Sequence, residues 1–397
     1  MFRGFSPVDR KLTITVAFIE SLRLMGMFMI LPVFTIYGEK FTSSGLLIGL
    51  SFGAYALTMA IFQIPFGILA DRVGRKKTII IGLTFFVIGN LICVHPVNID
   101  ILILGRLISG SGAISSVGTS MVQANVPQEK RSTAMAIIGI PVGVSFLLGI
   151  ILGPLISDIS GIPSIFLIAS VLGIFAIFLI SNINENRRQV ENFTLRVPRR
   201  NLLLGIAGFM VSLTMMEFFY FLPIYHNSFL IHVSYTWVIF FPVLIGGMIA
   251  IFAAGVADRG HLRSITTIGL LLLLFSVPLL FIFDLLYDGY LESFLAFAVY
   301  LTGYSIYEIT FPSLVSRSSD LNSYSTNFSV FNMFQHSGQL AGSLIAGLFI
   351  AEELSSKPLL GLSIFMISMV AIALLSTVFY FKSKKAWRNN RSSDRLS

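Results

Sequence analysis

Five ionisable side chains stand where water should be scarce. Glu20, Arg23, Arg106, Glu217 and Glu308 each lie well inside a long apolar stretch of this 397-residue chain. A charge in hydrocarbon is costly, so an ionisable residue in such a stretch is read by default as functional, facing a wet cavity or a partner charge. A desolvated carboxylate takes up a proton more readily than one in water. Glu20, Glu217 and Glu308 are thereby equipped to change protonation as their surroundings change, and the chemistry they point to is proton coupling. Glu20 and Arg23 are three residues apart on one helical face and read equally as a coupling pair or as two charges that neutralise each other. Glu217 stands in TMMEFFYFLPIY with no basic residue within helical reach, which makes it the leading proton-carrier candidate.

The neighbours of these charges supply candidate substrate contacts. Met215, Met216, Phe218 and Tyr220 around Glu217 offer adaptable apolar surface suited to bulky lipophilic or cationic ligands, and a Met-Phe run also serves ordinary helix packing. Glu308 lies in YSIYEITFP beside Tyr304 and Tyr307, where it would bind a cationic substrate or hydrogen-bond a neighbouring helix. For Arg106 the structural alternative is a capping or helix-to-helix hydrogen bond. His336, in FQHSGQLAG, titrates near neutrality when solvated and otherwise packs and hydrogen-bonds. No H-E-x-x-H, serine elbow or phosphate-cradling G-x4-G-K-[ST] loop occurs, and Cys93 is the single cysteine. No catalytic residues, metal, disulfide or cofactor are therefore expected, and energy must come from an ion gradient.

The elements that must position these residues follow from composition. The chain is 55% apolar and 12% charged, with a mean hydropathy of +0.86, whereas a soluble chain carries about a quarter charged residues. Twelve apolar runs are long enough to cross roughly 30 Å of hydrocarbon. They are 13–36, 44–69, 78–95, 100–124, 133–157, 162–182, 201–225, 234–256, 264–284, 292–313, 326–350 and 358–381, here called spans 1 to 12. Their continuous apolarity points to helices, which satisfy their own backbone, and not to the alternation of a β-barrel. MFRGFSPVDRK shows no signal-peptide cleavage site, so span 1 is expected to be retained. The expected class is an all-α integral membrane protein with 12 transmembrane helices.

The formal charge of +8 is explained by topology. With both termini cytoplasmic, 23 of the 27 Lys and Arg residues fall on the cytoplasmic side, only Lys40 and Lys357 fall outside, and Arg23 and Arg106 lie within the membrane. That asymmetry is the positive-inside pattern of a multi-pass protein of the cell membrane, and it leaves no need for a nucleic-acid partner. The longest polar interruption divides the chain into an N-terminal six-helix bundle (1–182), a cytoplasmic linker (183–200), a C-terminal six-helix bundle (201–381) and a basic cytoplasmic tail (382–397). Asp71-Arg72 after span 2 recurs as Asp258-Arg259 after span 8, and Ser132-Thr133 before span 5 as Ser325-Thr326 before span 11. Both pairs point to a duplicated half.

One stretch is more specific. GILADRVGRKKT, residues 67–78, resembles the loop 2-3 signature of the major facilitator superfamily at Gly67, Leu69, Ala70, Asp71, Arg72, Gly74, Arg75, Lys76 and Lys77. LGRLISGSGA resembles that family's span 4 element through Arg106, Gly110, Gly112 and Ala113. GIILGP resembles its G-x-x-x-G-P antiporter signature through Gly149, Gly153 and Pro154. LRLMGMFMILPVFTIYG is most similar to the YajR-type proton-coupled drug exporters.

The resemblance implies two six-helix bundles in parallel repeat, with spans 1, 4, 7 and 10 lining a central cavity, and all five intramembrane charges lie on those spans. It implies that Asp71 meets the positive end of span 11 and clasps the halves together, where the alternative is a basic loop that only sets orientation. It implies that Arg106 favours deprotonation of a nearby carboxylate. Departures stand at Thr35, at Ile156-Ser157-Asp158 and at Gln123-Ala124-Asn125, where the family has proline, a Gly-Gly pair and, in YajR-type members, a carboxylate.

The function implied is a monomeric antiporter that exports drug-like or lipophilic small molecules against protons by alternating access. A proton-coupled uptake symporter is the alternative, but Asn182-Ile183-Asn184-Glu185 stands where sugar porters carry P-E-S-P-R. A non-transporting receptor or assembly factor would have little reason to keep five charges on the cavity helices.

Overall fold

The computed structural model describes residues 5–112, 114–126, 131–183, 198–229, 242–286, 290–318, 324–351 and 358–393, and their regular structure is helical throughout. The N-terminal bundle consists of α1 (Pro7–Ile30), a 3-10 turn (Leu31–Val33), α2 (Phe34–Glu39), α3 (Gly45–Val73), α4 (Arg75–Val94), α5 (Ile99–Gly110), α6 (Ser115–Asn125), α7 (Arg131–Ser160) and α8 (Ile162–Ser181). The C-terminal bundle consists of α9 (Arg199–Phe229), α10 (Pro242–Val256), a π turn (Ala257–His261), α11 (Leu262–Leu286), α12 (Tyr290–Ser318), α13 (Tyr324–Ala351) and α14 (Pro358–Ser393). Among the described residues nine helical segments are long and apolar enough to cross a membrane, and the chain is a multi-pass membrane protein. Spans 8, 10 and 11 of the sequence reading fall on α10, α12 and α13, and residues 234–241 of span 8 lie outside the described residues.

Local chemistry sets the helix ends. Ser6 accepts the Asp9 N–H at 3.1 Å ahead of Pro7, and Asn98 accepts the Ile101 N–H at 2.9 Å at the start of α5, so orphan donors of each first turn are satisfied. The charged stretch expected as a loop after span 2 is mostly helical. α3 runs through Arg72 to Val73, α4 begins at Arg75, and Gly74 alone leaves helical geometry, with φ 99° and ψ 149°. Lacking a Cβ, it accepts a φ that other residues avoid, and a single residue reverses the chain. Gly67, the first glycine of the same signature, is helical within α3. In the second copy Gly260 takes φ 105°, so the duplicated turn repeats its backbone device as well as its Asp-Arg pair.

Because lipid is as apolar as a leucine side chain, helices in a membrane associate through close packing and not through hydrophobic burial. Gly149 and Gly153 bring α7 against α1, where an added Cβ would strike Phe28 and the Met29 carbonyl oxygen. Gly338 and Gly342 bring α13 against α9 in the same way, at the carbonyl oxygens of Phe209 and Leu213. The two bundles thus use one four-residue glycine spacing at corresponding helix pairs. Outward, the bundles expose apolar side chains such as Ile61, Phe178, Phe252, Phe275 and Phe379, the surface expected to face acyl chains.

Contacts between the bundles gather toward the face away from the two termini. Gly49 and Gly53 of α3 lie against Ser343 of α13, and Gly347 lies against the Gly45 carbonyl oxygen. The Tyr220 hydroxyl of α9 donates to the Gly45 carbonyl oxygen at 2.8 Å. Nearer the middle, Phe146 of α7 meets Tyr304 of α12 with ring centroids 5.4 Å apart, and Gly247 of α10 receives Leu147 of α7.

Candidate functional site

Span 4 is broken in the middle, and the break builds the site. α5 ends at Gly110 and α6 begins at Ser115. Gly110 packs against the Tyr55 backbone and Gly112 against the Gly82 backbone, both too closely for any side chain. The glycines of the span 4 element therefore hold it against α3 and α4. One turn before Gly110, Arg106 comes to lie over two rings, 5.1 Å from the Phe34 centroid and 4.7 Å from that of Tyr55. Immediately after the break, Ser115 faces α1.

Glu20, Arg23, Tyr55 and Ser115 form one buried network. Arg23 donates to Glu20 Oε2 at 3.0 Å, to the Tyr55 hydroxyl at 3.0 Å and to Ser115 Oγ at 2.6 Å. Ser115 Oγ in turn donates to Glu20 Oε2 at 3.1 Å. The Glu20–Arg23 contact is an ion pair, and Arg23 is fully buried. A buried pair survives desolvation only when further hydrogen bonds satisfy its remaining donors and acceptors, and Tyr55 and Ser115 supply them here. Arg106 has no carboxylate within ion-pair distance among the described residues. Glu20 is engaged by Arg23 and Ser115.

The C-terminal bundle carries the other two carboxylates in different settings. Glu217 on α9 is wholly buried, and neither carboxylate oxygen has a hydrogen-bond partner. Around it, Met215, Met216 and Phe218 are buried as well, and Phe218 stacks on Tyr300 of α12 at 4.1 Å with planes 14° apart. Tyr220, one turn away, is spent on the Gly45 tie between the bundles. Glu308 accepts from the Tyr304 hydroxyl of its own helix at 2.7 Å. Tyr307 accepts from Gln335 of α13 at 2.7 Å and reaches the Gly208 carbonyl oxygen of α9 at 3.5 Å. His336 pairs through Nδ1 with Gln339 Oε1 at 2.9 Å.

The charged turn is tied to its own bundle. Lys76 Nζ donates to the carbonyl oxygens of Ser181 at 2.7 Å and Ile183 at 2.8 Å, placing a cation on the negative end of α8. Arg200 does the same for α12 through Ser318, at 2.7 Å. Arg72 and Lys77 are exposed and Arg75 is buried. The side chain of Asp71, and with it the clasp expected at span 11, lies outside the described residues, as do the side chains of Asp258 and Arg259.

The structure thus joins Glu20 and Arg23 through partners that sequence reasoning missed, Tyr55 and Ser115, and adds Phe34 beneath Arg106 and Gln335 and Gln339 beside Tyr307 and His336. Ser115 was findable as the first hydroxyl after the glycine pair of span 4. Tyr55 carries no comparable signal, being one aromatic among many.

Residues 16–343 match the sequence model of the Major Facilitator Superfamily. An uncharacterized transporter of Buchnera aphidicola subsp. Baizongia pistaciae is 32% identical over 355 residues, covering 86% of this chain and 90% of that protein. The inner membrane transport protein YajR of Escherichia coli (strain K12) is 41% identical over 162 residues, which span 41% of this chain and 36% of YajR. Among solved structures, a bacterial homologue of the human lysosomal transporter Spinster, crystallised inward-facing and occupied, superposes with a TM-score of 0.71 at 15% identity, over 96% of this chain and 98% of that one.

Proposed function

The chain belongs to the major facilitator superfamily of membrane transporters, and we propose that it is a proton-coupled antiporter that exports lipophilic small molecules across the cell membrane by alternating access, with both termini cytoplasmic. The observation that carries this reading is Glu217, a fully buried carboxylate without a hydrogen-bond partner, one helical turn from the Tyr220–Gly45 tie that joins the bundles. An ionised carboxylate buried without partners costs several kcal/mol. The closed packing and the ionised form of Glu217 therefore oppose each other, and proton binding is linked to which face of the protein is shut.

The contacts gathered at the face away from the termini suit the inward-facing stage of the cycle. A substrate entering from the cytoplasm would meet the Met215, Met216 and Phe218 surface and the tyrosines of α12, Tyr304 and Tyr307. The buried Glu20–Arg23 pair and Glu308, held by Tyr304, are the further proton-coupling candidates. Export is supported by the resemblance at Gly149, Gly153 and Pro154, whose glycines set the approach of α7 to α1.

The test is substrate-dependent proton flux in proteoliposomes across a panel of lipophilic cations, neutral compounds and acids, comparing the native protein with Glu217→Gln. The expected result is compound-dependent proton movement that Glu217→Gln abolishes while the protein remains folded. Full coupling in Glu217→Gln would remove the carrier assignment, and no movement of any compound against a pH gradient would remove antiport.

A further inference from the structure

Two cations stand at the rim of the lipid-facing surface, each on an aromatic ring. α11 and α14 pack side by side, and their apolar spans, Leu262–Leu279 and Ile364–Ser383, come together at Leu262 and Ser383 on the face of the two termini. Along both helices large apolar side chains face outward, Ile268 and Phe275 on α11 and Leu375 and Phe379 on α14, a surface for acyl chains to cover. At the end of this wall the Arg263 guanidinium lies over the Phe381 ring, 5.5 Å from its centroid, and Lys382 Nζ lies 6.0 Å from the centroid of Phe379. Phe379, Phe381 and Lys382 fall within one turn of α14, so both cations are gathered at one helix end. Both are exposed, and neither has a carboxylate within ion-pair distance among the described residues.

A ring attracts a cation without neutralising it, and the cation keeps N–H donors for an oxygen acceptor. Phe379 and Phe381 thus fix two long side chains where hydrocarbon gives way to head groups, the level of the lipid phosphates. The positive charge also continues along the helix. α14 stays helical to Ser393, and residues 382–391 carry Lys382, Lys384, Lys385, Arg388 and Arg391 with no acidic residue among them. A helix of 36 residues is about 54 Å long against roughly 30 Å of hydrocarbon, so its last turns emerge on the side of the termini. Basic clusters directly after a spanning helix, and basic pockets between spanning helices, attract anionic lipid head groups. Orientation alone would require only that basic residues lie on this side, and not that two of them be held on rings at the outward surface.

We propose that the cytoplasmic end of the seam between α11 and α14 binds an acidic glycerophospholipid, its phosphate on Arg263 and Lys382 and its acyl chains against the outward apolar side chains of the two helices. The occupant is a membrane lipid and not a soluble phosphate, because the cations stand at the end of an apolar wall that only a molecule with hydrocarbon chains would cover. The inference uses the orientation proposed above to name the leaflet and does not depend on proton-coupled antiport.

Purified full-length protein in neutral detergent is titrated with phosphatidylglycerol and with phosphatidylcholine of identical acyl chains, and bound lipid is counted by native mass spectrometry. Phosphatidylglycerol is expected to bind more tightly by about ten-fold or more. The double variant Arg263→Gln, Lys382→Gln should erase that preference. Arg72→Gln, Lys77→Gln, which removes the same charge from exposed positions of the other bundle, should keep it. Equal affinity for the two lipids, or an undiminished preference in a folded Arg263→Gln, Lys382→Gln protein, would overturn the proposal. So would an equal loss in both double variants, which would mark diffuse surface charge only, and so would displacement of phosphatidylglycerol by inorganic phosphate, which would mark a small-anion site. If Arg263→Gln, Lys382→Gln does not fold, Phe379→Leu takes its place, keeping both charges and removing the ring beneath Lys382. A preference lowered about two-fold or more is then expected, and an unchanged one overturns the proposal. None of these measurements involves transport, so their outcome is separate from that of the proton-flux test.

Discussion

The Tyr220 hydroxyl donates to the Gly45 carbonyl oxygen at 2.8 Å, joining the far end of α9 in one bundle to the first residue of α3 in the other. Gly45 itself receives Gly347 of α13, so three helices from two bundles meet at one backbone carbonyl. At this position a side chain of one bundle is bonded to the backbone of the other. The bond lies a single helical turn from the unpartnered Glu217, which links the proposed coupling group to the closure it would control.

Removing that bond should favour opening of the far face. A hydrogen bond of this kind is worth about 1 kcal/mol net, so Tyr220→Phe should raise the open population about five-fold. In a Cys93→Ser background, Ser343→Cys reports it, because Ser343 is buried in the α3–α13 contact. Maleimide should label it about five times faster when Tyr220→Phe is added, and an unchanged rate would show that the bond does not hold the face shut.

Glycine substitutions along α3 should divide by what they touch. At Gly49 and Gly53 a new methyl group collides with the Ser343 carbonyl oxygen and hydroxyl, so Gly49→Ala and Gly53→Ala should impair transport several-fold. At Gly67 nothing lies within 4 Å, and Gly67→Ala should be tolerated and stabilise the helix by about 0.5–1 kcal/mol. Thermal unfolding and substrate accumulation, measured on the same three proteins, check both halves of the statement.

Glu20→Gln leaves Arg23 buried without its only carboxylate, at a cost of about 3–5 kcal/mol. The double variant Glu20→Gln, Arg23→Gln removes both charges and should recover most of that loss, a strongly non-additive cycle. Strict additivity in denaturation midpoints would mean that the two charges are not coupled.

Topology is read with two exposed positions. Arg72 lies beside the Gly74 turn, and Val97, 84% exposed, lies in the turn between α4 and α5. In intact cells carrying the Cys93→Ser background, an impermeant thiol reagent should label Val97→Cys and spare Arg72→Cys. Labelling of both, or of Arg72→Cys alone, would reverse the orientation drawn from the basic residues.

Hydropathy and charge by themselves determined the class of molecule, because each spanning helix must satisfy its backbone internally and must therefore announce itself as a continuous apolar run. They also determined that Glu20, Arg23, Arg106, Glu217 and Glu308 needed explaining, since a charge in such a run is conspicuous. The Asp-Arg pairs disclosed the duplicated turn, though not that Gly74 alone would make it. The tertiary structure alone decided who meets whom. Tyr55 is separated by 32 residues from Arg23, and Ser115 by 92, and no local periodicity records such a pairing. Within a membrane both faces of a helix are apolar, so sequence pattern does not say which face turns inward. That is settled by shape: glycines at Gly49, Gly53, Gly110, Gly149 and Gly342 fix the depth and register at which helices touch. Those registers left Glu20 paired, Glu217 without a partner, and Arg106 on two aromatic rings.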